Sequence, residues 1–127
     1  MRMNNGHKVL IVDDSQVMRE MIGDILKTQG FEVVGEATDG QEALEKYKEL
    51  NPDIVTMDVV MPKEHGIDAV KKIIALDKEA RIIIISGLYQ KTLVMEALDA
   101  GALDYVIKPF DPSELIETVK KNLNQGS

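Results

Sequence analysis

Five short aliphatic runs recur along the chain, and a segment with helical periodicity follows each of them. The runs occupy residues 9–12, 31–34, 54–57, 82–85 and 105–107. Uninterrupted Val/Ile-rich runs are typical of strands that are covered on both faces of a parallel sheet. Parallel strands need crossover connections, which helices commonly supply. The pattern therefore predicts an α/β fold, in which five helices cover both faces of a five-stranded parallel sheet.

The segments between the runs indicate where the helices begin and end. Asp111 and Pro112 predict the cap and the first residue of the last helix. The tail from Asn122 onward is predicted to fray. No linker or low-complexity tract interrupts the pattern, so we expect one domain over residues 8–124, with short tails at 1–7 and 125–127. In the first helix, an apolar stripe is predicted to face the core and comprises Val17, Met18, Met21, Ile22, Ile25 and Leu26.

Composition narrows the classes of function. The net charge of −7 disfavours direct binding to nucleic acid or to an anionic membrane. The chain has no Cys, which excludes disulfides and thiolate chemistry. The polar amino terminus lacks the apolar stretch of a signal peptide, and the aliphatic runs are too short to span a membrane. We therefore expect a cytoplasmic protein.

Polar side chains stand where four of the predicted strands end. Asp13 and Asp14 follow the first strand, Asp58 the third, Ser86 the fourth and Lys108 the fifth. Ligands of open parallel sheets bind beyond the carboxyl ends of the strands, so we expect these side chains to meet. Three clustered carboxylates need a positive counter-charge, and oxygen-only ligands favour Mg²⁺. The sequence therefore predicts a magnesium site beside a lysine that can meet a phosphoryl group.

The same side chains fit phosphoryl transfer. This reaction needs positioning and charge neutralisation around an in-line nucleophile, and a carboxylate can be that nucleophile. Asp58 is the predicted phosphoacceptor because it stands alone at its strand end, whereas Asp13 and Asp14 form an acidic pair. Two plainer interpretations stay open at this point. Asp13-Asp14 could be a turn that caps the first helix, and Ser86 could cap the fourth.

Four motifs, spread along the chain, resemble the motifs of a known protein family. Residues 9–14 (VLIVDD), 53–62 (DIVTMDVVMP), 85–87 (ISG) and 108–110 (KPF) resemble the receiver domain of bacterial and archaeal response regulators. The resemblance covers roughly residues 8–124, and several motifs in register make it specific. It implies the flavodoxin-like strand order 2-1-3-4-5. Residues 35–47 (GEATDGQEALEKY) are similar to free-standing chemotaxis regulators, particularly those of archaea and thermophilic bacteria.

The resemblance implies how the acidic residues divide the work. Asp58 would accept the phosphoryl group. Asp13, Asp14 and Asp58, together with the backbone carbonyl of Val60, would bind Mg²⁺. Val60 is apolar where many relatives carry a polar side chain, so its side chain cannot orient the water that attacks the phosphorylated form. Together with Gly87, which acts in the opposite direction on hydrolysis, this departure leaves the lifetime of that form open.

The resemblance also implies a switch. Ser86 would be the hydroxyl that responds to the phosphoryl group, and Tyr105 the aromatic side chain that moves with it. Lys108 would contact the phosphoryl group, and the Lys108–Pro109 peptide bond would be cis and position the lysine. Gly87, after the switch serine, leaves the phosphoryl site more open than a larger residue would.

Finally, the resemblance implies partners. A histidine kinase of the chemotaxis type would donate the phosphoryl group, a flagellar or archaellar motor component or its adaptor would bind the activated form, and a phosphatase is a further candidate. The chain would be a monomer at rest, and no enzyme apart from self-catalysed phosphoryl transfer and autodephosphorylation. A phosphorelay intermediate and a constitutive scaffold are the alternatives. The partner face would comprise helix 4, strand 5 and helix 5, with Lys91, Met95, Asp99, Tyr105, Ile107 and Ser113.

Overall fold

The computed structural model describes residues 6–61 and 66–124, in which strands and helices alternate. The strands are β1 (Lys8–Val12), β2 (Glu32–Ala37), β3 (Ile54–Asp58), β4 (Ile82–Gly87) and β5 (Asp104–Lys108). The helices are α1 (Gln16–Lys27), α2 (Gly40–Leu50), α3 (Gly66–Leu76), α4 (Lys91–Ala100) and α5 (Pro112–Asn124). The strands form one parallel sheet in the order β2-β1-β3-β4-β5. The predicted fold class and strand order are confirmed.

The central strands β1, β3 and β4 are buried along almost their whole length because helices cover both faces of the sheet. On one face, Ile11 and Ile83 belong to the core that includes Ile22 of α1 and Leu115 of α5. The opposite face packs against α2, α3 and α4. The edge strands β2 and β5 are only partly buried. Burial on both faces, predicted for all five strands, is therefore wrong for these two, since covering helices reach less far over a sheet edge.

Part of the apolar stripe predicted for α1 does not reach the core. Ile22 and Leu26 are buried, whereas Val17 is 72% exposed and Met21 45% exposed. Six apolar residues cover a wider arc of a helix than the face that contacts the sheet, so the residues at the margin stay in solvent. The prediction that all six residues face the core is therefore wrong.

The carboxyl-terminal helix is packed beyond the point at which fraying was expected. Asn122 is buried, and its side-chain amide donates to Asp104 Oδ2 at 3.0 Å and to the Thr118 carbonyl at 2.8 Å. The expected fraying from Asn122 is therefore wrong for Asn122 and Leu123, which are buried, and the contact with Asp104 fastens α5 to β5. Within the described ranges, no helix is both long and apolar enough to cross a membrane.

Candidate functional site

The carboxyl ends of β1 and β3 bring three carboxylates together. The two strands are neighbours, and Val12 is paired with Met57, so the residues that follow them meet at one edge of the sheet. Asp13, Asp14 and Asp58 each offer one oxygen atom, and these atoms lie within 4.8 Å of one another. Asp13 and Asp58 are buried, whereas Asp14 is exposed to solvent. The predicted acidic cluster is therefore present.

The residues that cap α1 and α4 are not the ones that the two plainer interpretations named, which were the Asp13-Asp14 pair and Ser86. Ser15 caps α1, because its side chain accepts a hydrogen bond from the Met18 amide at 3.2 Å. Asp13 Oδ1 instead accepts from the Ser15 amide at 2.9 Å, which fixes the carboxylate at the base of the site. At α4 the residue in the cap position is Gln90. Neither the Asp13-Asp14 pair nor Ser86 is explained as a helix cap.

Lys108 comes from the end of β5 and joins the acidic cluster. Its Nζ atom donates to Asp13 Oδ2 at 3.0 Å and lies 3.5 Å from Asp58 Oδ2. The Lys108–Pro109 peptide bond is cis, as predicted. The Val60 amide donates to Asp58 Oδ1 at 3.1 Å. The role predicted for the Val60 carbonyl stays a prediction.

Burial leaves Asp58 with charge that its neighbours do not fully offset. Desolvation raises the pKa of the Asp58 carboxyl above its usual value, and the negative charge of Asp13 adds to the rise. The hydrogen bond from the Val60 amide and the charge of Lys108 lower the pKa, but they do not outweigh burial. A further cation would therefore be stabilised beside Asp58.

Lys108 is held in its charged form. Burial alone would lower the pKa of its ammonium group. The hydrogen bond to Asp13 and the charges of Asp58 and Asp13 together outweigh burial and raise the pKa. Lys108 is thus a fixed positive charge in a site that is otherwise acidic, which suits the binding of an anionic group.

The predicted switch residues lie on neighbouring strands beside this site. Ser86 follows Ile85, the residue that is paired with Asp58 in the sheet, and it is fully buried. Its hydroxyl has no hydrogen-bond partner within residues 6–61 and 66–124. Tyr105 is paired with Ile84 and is 45% exposed, so its ring lies at the surface. The structure thus places a free hydroxyl and an exposed ring where the switch was predicted.

Four of the six predicted partner-face residues line one apolar depression of about 210 Å³ between α4 and β5. Asp99 lines a different depression, between α3 and α4, together with Lys71. Ser113 is exposed in the first turn of α5. The predicted face is therefore divided in the structure, with its apolar part concentrated between α4 and β5. The depression is lined by Leu88, Lys91, Val94, Met95, Tyr105 and Ile107.

Sequence reasoning missed three residues around the site. Arg19 of α1 reaches back to the Asp13 carbonyl. Gln90 accepts a hydrogen bond from the Gly87 amide at 2.7 Å. Gly66 begins α3 so close to Asp58 that a Cβ atom there would collide with the Asp58 carbonyl oxygen. One signal was available for Arg19, since a basic residue near the amino end of a helix is electrostatically unfavourable and needs an acidic or carbonyl partner.

Comparison with known proteins decides the family. The model of the family described as "Response regulator receiver domain" matches residues 9–120 of the chain. The chain belongs to the response regulator receiver family. Its members are signalling proteins of two-component systems rather than conventional enzymes, and they bind Mg²⁺ at an acidic pocket of the kind formed by Asp13, Asp14 and Asp58.

The relatives of this receiver domain include chemotaxis proteins. The chemotaxis protein CheY of Thermotoga maritima is 54% identical over 116 residues, which are 91% of this chain and 97% of that protein. CheY of Bacillus subtilis is 51% identical over 118 residues, covering 93% and 98%. The crystal structure of a CheX-CheY-BeF3-Mg²⁺ complex from Borrelia burgdorferi matches with a TM-score of 0.87 at 39% identity, covering 92% of this chain and 89% of that one. The predicted resemblance is confirmed.

The donor atoms of this receiver domain fit a hard divalent cation. All three acidic residues offer carboxylate oxygen, the ligand type that Mg²⁺ prefers. Burial raises the pKa of Asp58 in spite of Lys108, so the charge of its carboxylate is not fully compensated and a cation would stabilise it. The exposed position of Asp14 leaves one side of the cluster open to water, which Mg²⁺ normally keeps among its ligands.

Proposed function

We propose that Asp58 of this chain accepts a phosphoryl group from the phosphohistidine of a chemotaxis-type histidine kinase. One observation carries the proposal. Carboxylate oxygens of Asp13, Asp14 and Asp58 lie within 4.8 Å of one another, with the Lys108 ammonium 3.5 Å from Asp58. Transfer of a phosphoryl group to a carboxylate oxygen needs a positioned nucleophile and neutralising charge. A buried carboxylate beside a fixed cation and an acidic pair meets this need.

The proposed transfer exchanges one bond to phosphorus for another. A carboxylate oxygen of Asp58 forms the new O–P bond, and the N–P bond to the imidazole breaks. The electron pair of that bond remains on the imidazole nitrogen. Lys108 stabilises the negative charge on the equatorial oxygens, because its ammonium already lies beside Asp58 Oδ2. Burial of Asp58 limits competing water and strengthens these electrostatic interactions.

Asp13, Asp14, Asp58 and the Val60 carbonyl would hold Mg²⁺ in this proposal. The ion supplies charge neutralisation at the phosphoryl oxygens. Asp13 serves both needs, since Oδ2 accepts from Lys108 while Oδ1 accepts from the Ser15 amide. The carboxylate is therefore held in place without the ion.

The output step follows from the free hydroxyl of Ser86. This buried hydroxyl, which has no hydrogen-bond partner among residues 6–61 and 66–124, can donate to an oxygen of the phosphoryl group. Its movement toward Asp58 would vacate space beside Ile84 and Ile107, which neighbour Tyr105 and Ser86 in the sheet. The exposed Tyr105 ring could enter that space and reshape the depression between α4 and β5. A preference of a few kcal/mol is enough to shift such a two-state population.

The relatives support a chemotaxis setting for this switch, since two of them carry the name chemotaxis protein CheY. We propose a motor component or its adaptor as the partner that binds the reshaped α4–β5–α5 face. A CheX-type protein is a second proposed partner, because the Borrelia burgdorferi relative was solved in complex with CheX. The phosphatase that the resemblance implies stays a prediction. A cytoplasmic location, a monomeric resting state and a complete functional unit within residues 8–124 stay predictions.

Phosphotransfer from a labelled histidine kinase tests the proposal. The wild-type chain should take label in Mg²⁺, lose that ability in EDTA, and lose it again in Asp58→Asn. Asp53→Asn is the matched control, because Asp53 flanks the opposite end of β3 and accepts a hydrogen bond from the Lys8 amide. Label retained by Asp58→Asn at the wild-type rate would contradict the assignment of the acceptor.

The fate of the label distinguishes the alternatives. Release to water, faster than transfer to any added histidine phosphotransfer domain, supports a terminal regulator. Passage of the label onto such a domain would make the chain a phosphorelay intermediate. A folded wild-type chain that takes no label from kinase or from acetyl phosphate would be a constitutive scaffold.

A further inference from the structure

Arg19 joins three consecutive elements at the rim of the site. Its side chain is 13% exposed although it projects from the first turns of α1. Nη1 donates to the backbone carbonyl of Asp13 at 2.7 Å, just beyond β1, and Nε donates to Glu36 Oε1 of β2 at 2.8 Å. The guanidinium thus spans the end of β1 and the neighbouring strand with two short, charge-assisted hydrogen bonds.

The carbonyl that Arg19 binds belongs to the peptide group between Asp13 and Asp14. Because the peptide group is rigid, the orientation of its plane constrains the directions of the side chains on either side of it, those of Asp13 and Asp14. On its other side, the Asp13 amide donates to the Ala37 carbonyl of β2 at 3.0 Å. Asp13 is therefore held to β2 at its amide, and to Glu36 of the same strand through Arg19 at its carbonyl.

We propose that Arg19 is a positioning residue for the metal and phosphoryl site: it fixes the Asp13–Asp14 peptide so that both carboxylates face Asp58. The proposal rests on the proposed function for the identity of the cation, but not for the geometry. Outer partners of metal ligands commonly tune affinity in this way, because an unheld ligand must be ordered on binding.

Charge and position make opposite predictions for Arg19. As a charge, the guanidinium lies beside the Asp13–Asp14 peptide and repels a cation at the neighbouring carboxylates, so its removal would tighten Mg²⁺ binding. As a positioning group it pre-orders two ligands, so its removal would weaken Mg²⁺ binding. A purely structural ion pair between α1 and β2 would change the unfolding midpoint and leave Mg²⁺ affinity unaltered. The direction of the change in affinity therefore identifies the role.

The experiment is a calorimetric Mg²⁺ titration of the intact chain, wild type against Arg19→Ala, Arg19→Lys and Glu36→Gln. We expect Arg19→Ala to weaken Mg²⁺ affinity by about tenfold. Arg19→Lys should restore part of the affinity, because an ammonium can reach one acceptor but lacks the fork that spans two. Glu36→Gln keeps an acceptor for Nε and should change affinity less than Arg19→Ala. Arg81→Ala, which removes the same charge at the amino end of β4, should leave affinity unchanged.

A second readout needs no metal. Backbone amide shifts of Asp14 and Ser15 in EDTA should move further in Arg19→Ala than in Arg81→Ala, because the Asp13–Asp14 peptide is released. Urea unfolding of each variant checks that it is folded. If Arg19→Ala does not fold, the Mg²⁺ affinity of Arg19→Lys provides the test instead. Unchanged or tighter Mg²⁺ binding in a folded Arg19 variant would overturn the proposal. If the wild type binds no Mg²⁺, the proposed metal function fails, and unmoved amide shifts would then refute the positioning role separately.

Discussion

The ammonium group of Lys108 donates to the carboxylate of Asp13 at 3.0 Å, and it lies half an ångström farther, at 3.5 Å, from Asp58. The charge of Lys108 is therefore balanced first by Asp13. Asp58 keeps a raised pKa as a result of burial that its partners do not offset. The resting site thus holds its nucleophile under electrostatic stress, which a cation or a phosphoryl group would relieve.

This stress predicts that Asp58→Asn stabilises the metal-free chain. The folded pKa of Asp58 lies above the unfolded one, so its contribution to the free energy of unfolding falls as pH rises through the window between the two values. Removing the ionisable group removes that loss. We expect a gain on the order of 1 kcal/mol at pH 7, measured by urea unfolding in EDTA.

Asp14→Asn is the control for this prediction. Asp14 belongs to the same cluster but is exposed, so its charge keeps its hydration and the gain should be smaller. Equal stabilisation by both variants would mean that mutual repulsion, not burial, dominates the cluster.

The two buried hydroxyls without a partner in the described part of the chain, Thr56 and Ser86, predict contrasting mutant behaviour. Thr56→Val keeps the shape and removes an unsatisfied group, so the chain should gain about 1 kcal/mol of stability and be phosphorylated normally.

Ser86→Ala should also not destabilise the resting chain, but it should reduce binding of the phosphorylated form to its partner. Thermal unfolding and pull-down from phosphorylated samples measure the two effects. Normal partner binding by phosphorylated Ser86→Ala would refute the switch.

Gly66 predicts a steric requirement beside Asp58. A Cβ atom at Gly66 would collide with the Asp58 carbonyl oxygen and would lie 2.8 Å from the Val59 Cα atom. Gly66→Ala should therefore shift the β3–α3 connection, cost about 1–3 kcal/mol of stability and weaken Mg²⁺ binding. Gly23→Ala in α1 is the matched control, since its nearest contact would be 3.6 Å away. That variant should gain about 0.5–1 kcal/mol. Equal stability of the two variants, by urea unfolding, would contradict the predicted collision.

The lowered pKa of Asp104 leads us to predict a loss of stability at low pH. Burial alone would raise the pKa of Asp104, but hydrogen bonds from Asn122 and the Tyr105 amide, with the Lys121 ammonium, lower it below its usual value. The unfolded chain therefore binds the proton at higher pH. The contribution of Asp104 is complete above the ordinary carboxyl pKa and is lost as pH falls through the lowered value. The stability difference between wild type and Asp104→Asn should shrink over that range, and a pH-independent difference would contradict the prediction.

The sequence predicted the sheet and the acidic cluster well because both follow from local patterns. Aliphatic runs locate the strands, and in a parallel sheet residues such as Asp13 and Asp58 necessarily meet when their strands are neighbours. The order of the strands came from family resemblance, since periodicity carries no information on which strand is next to which.

What the sequence could not predict depends on long-range packing. The contact between Arg19 and the Asp13 carbonyl joins a helix to a strand end, and the burial of Asn122 depends on Asp104 of β5. The exposure of Val17 depends on how far α1 is rotated against the sheet. The position of Arg19 near the amino end of α1 signals that it needs a partner but not which one, and residue type and spacing specify neither of the other two features. Pro62, the last residue of the 53–62 motif, lies outside the described residues.

Intact mass after incubation with acetyl phosphate tests the central claim most directly. In Mg²⁺ the wild-type chain should gain the mass of one phosphoryl group, and proteolytic mapping should place it on Asp58. The gain should vanish in EDTA and in Asp58→Asn. A folded wild-type chain that gains no phosphoryl mass, or an equal gain by Asp58→Asn, would contradict the account.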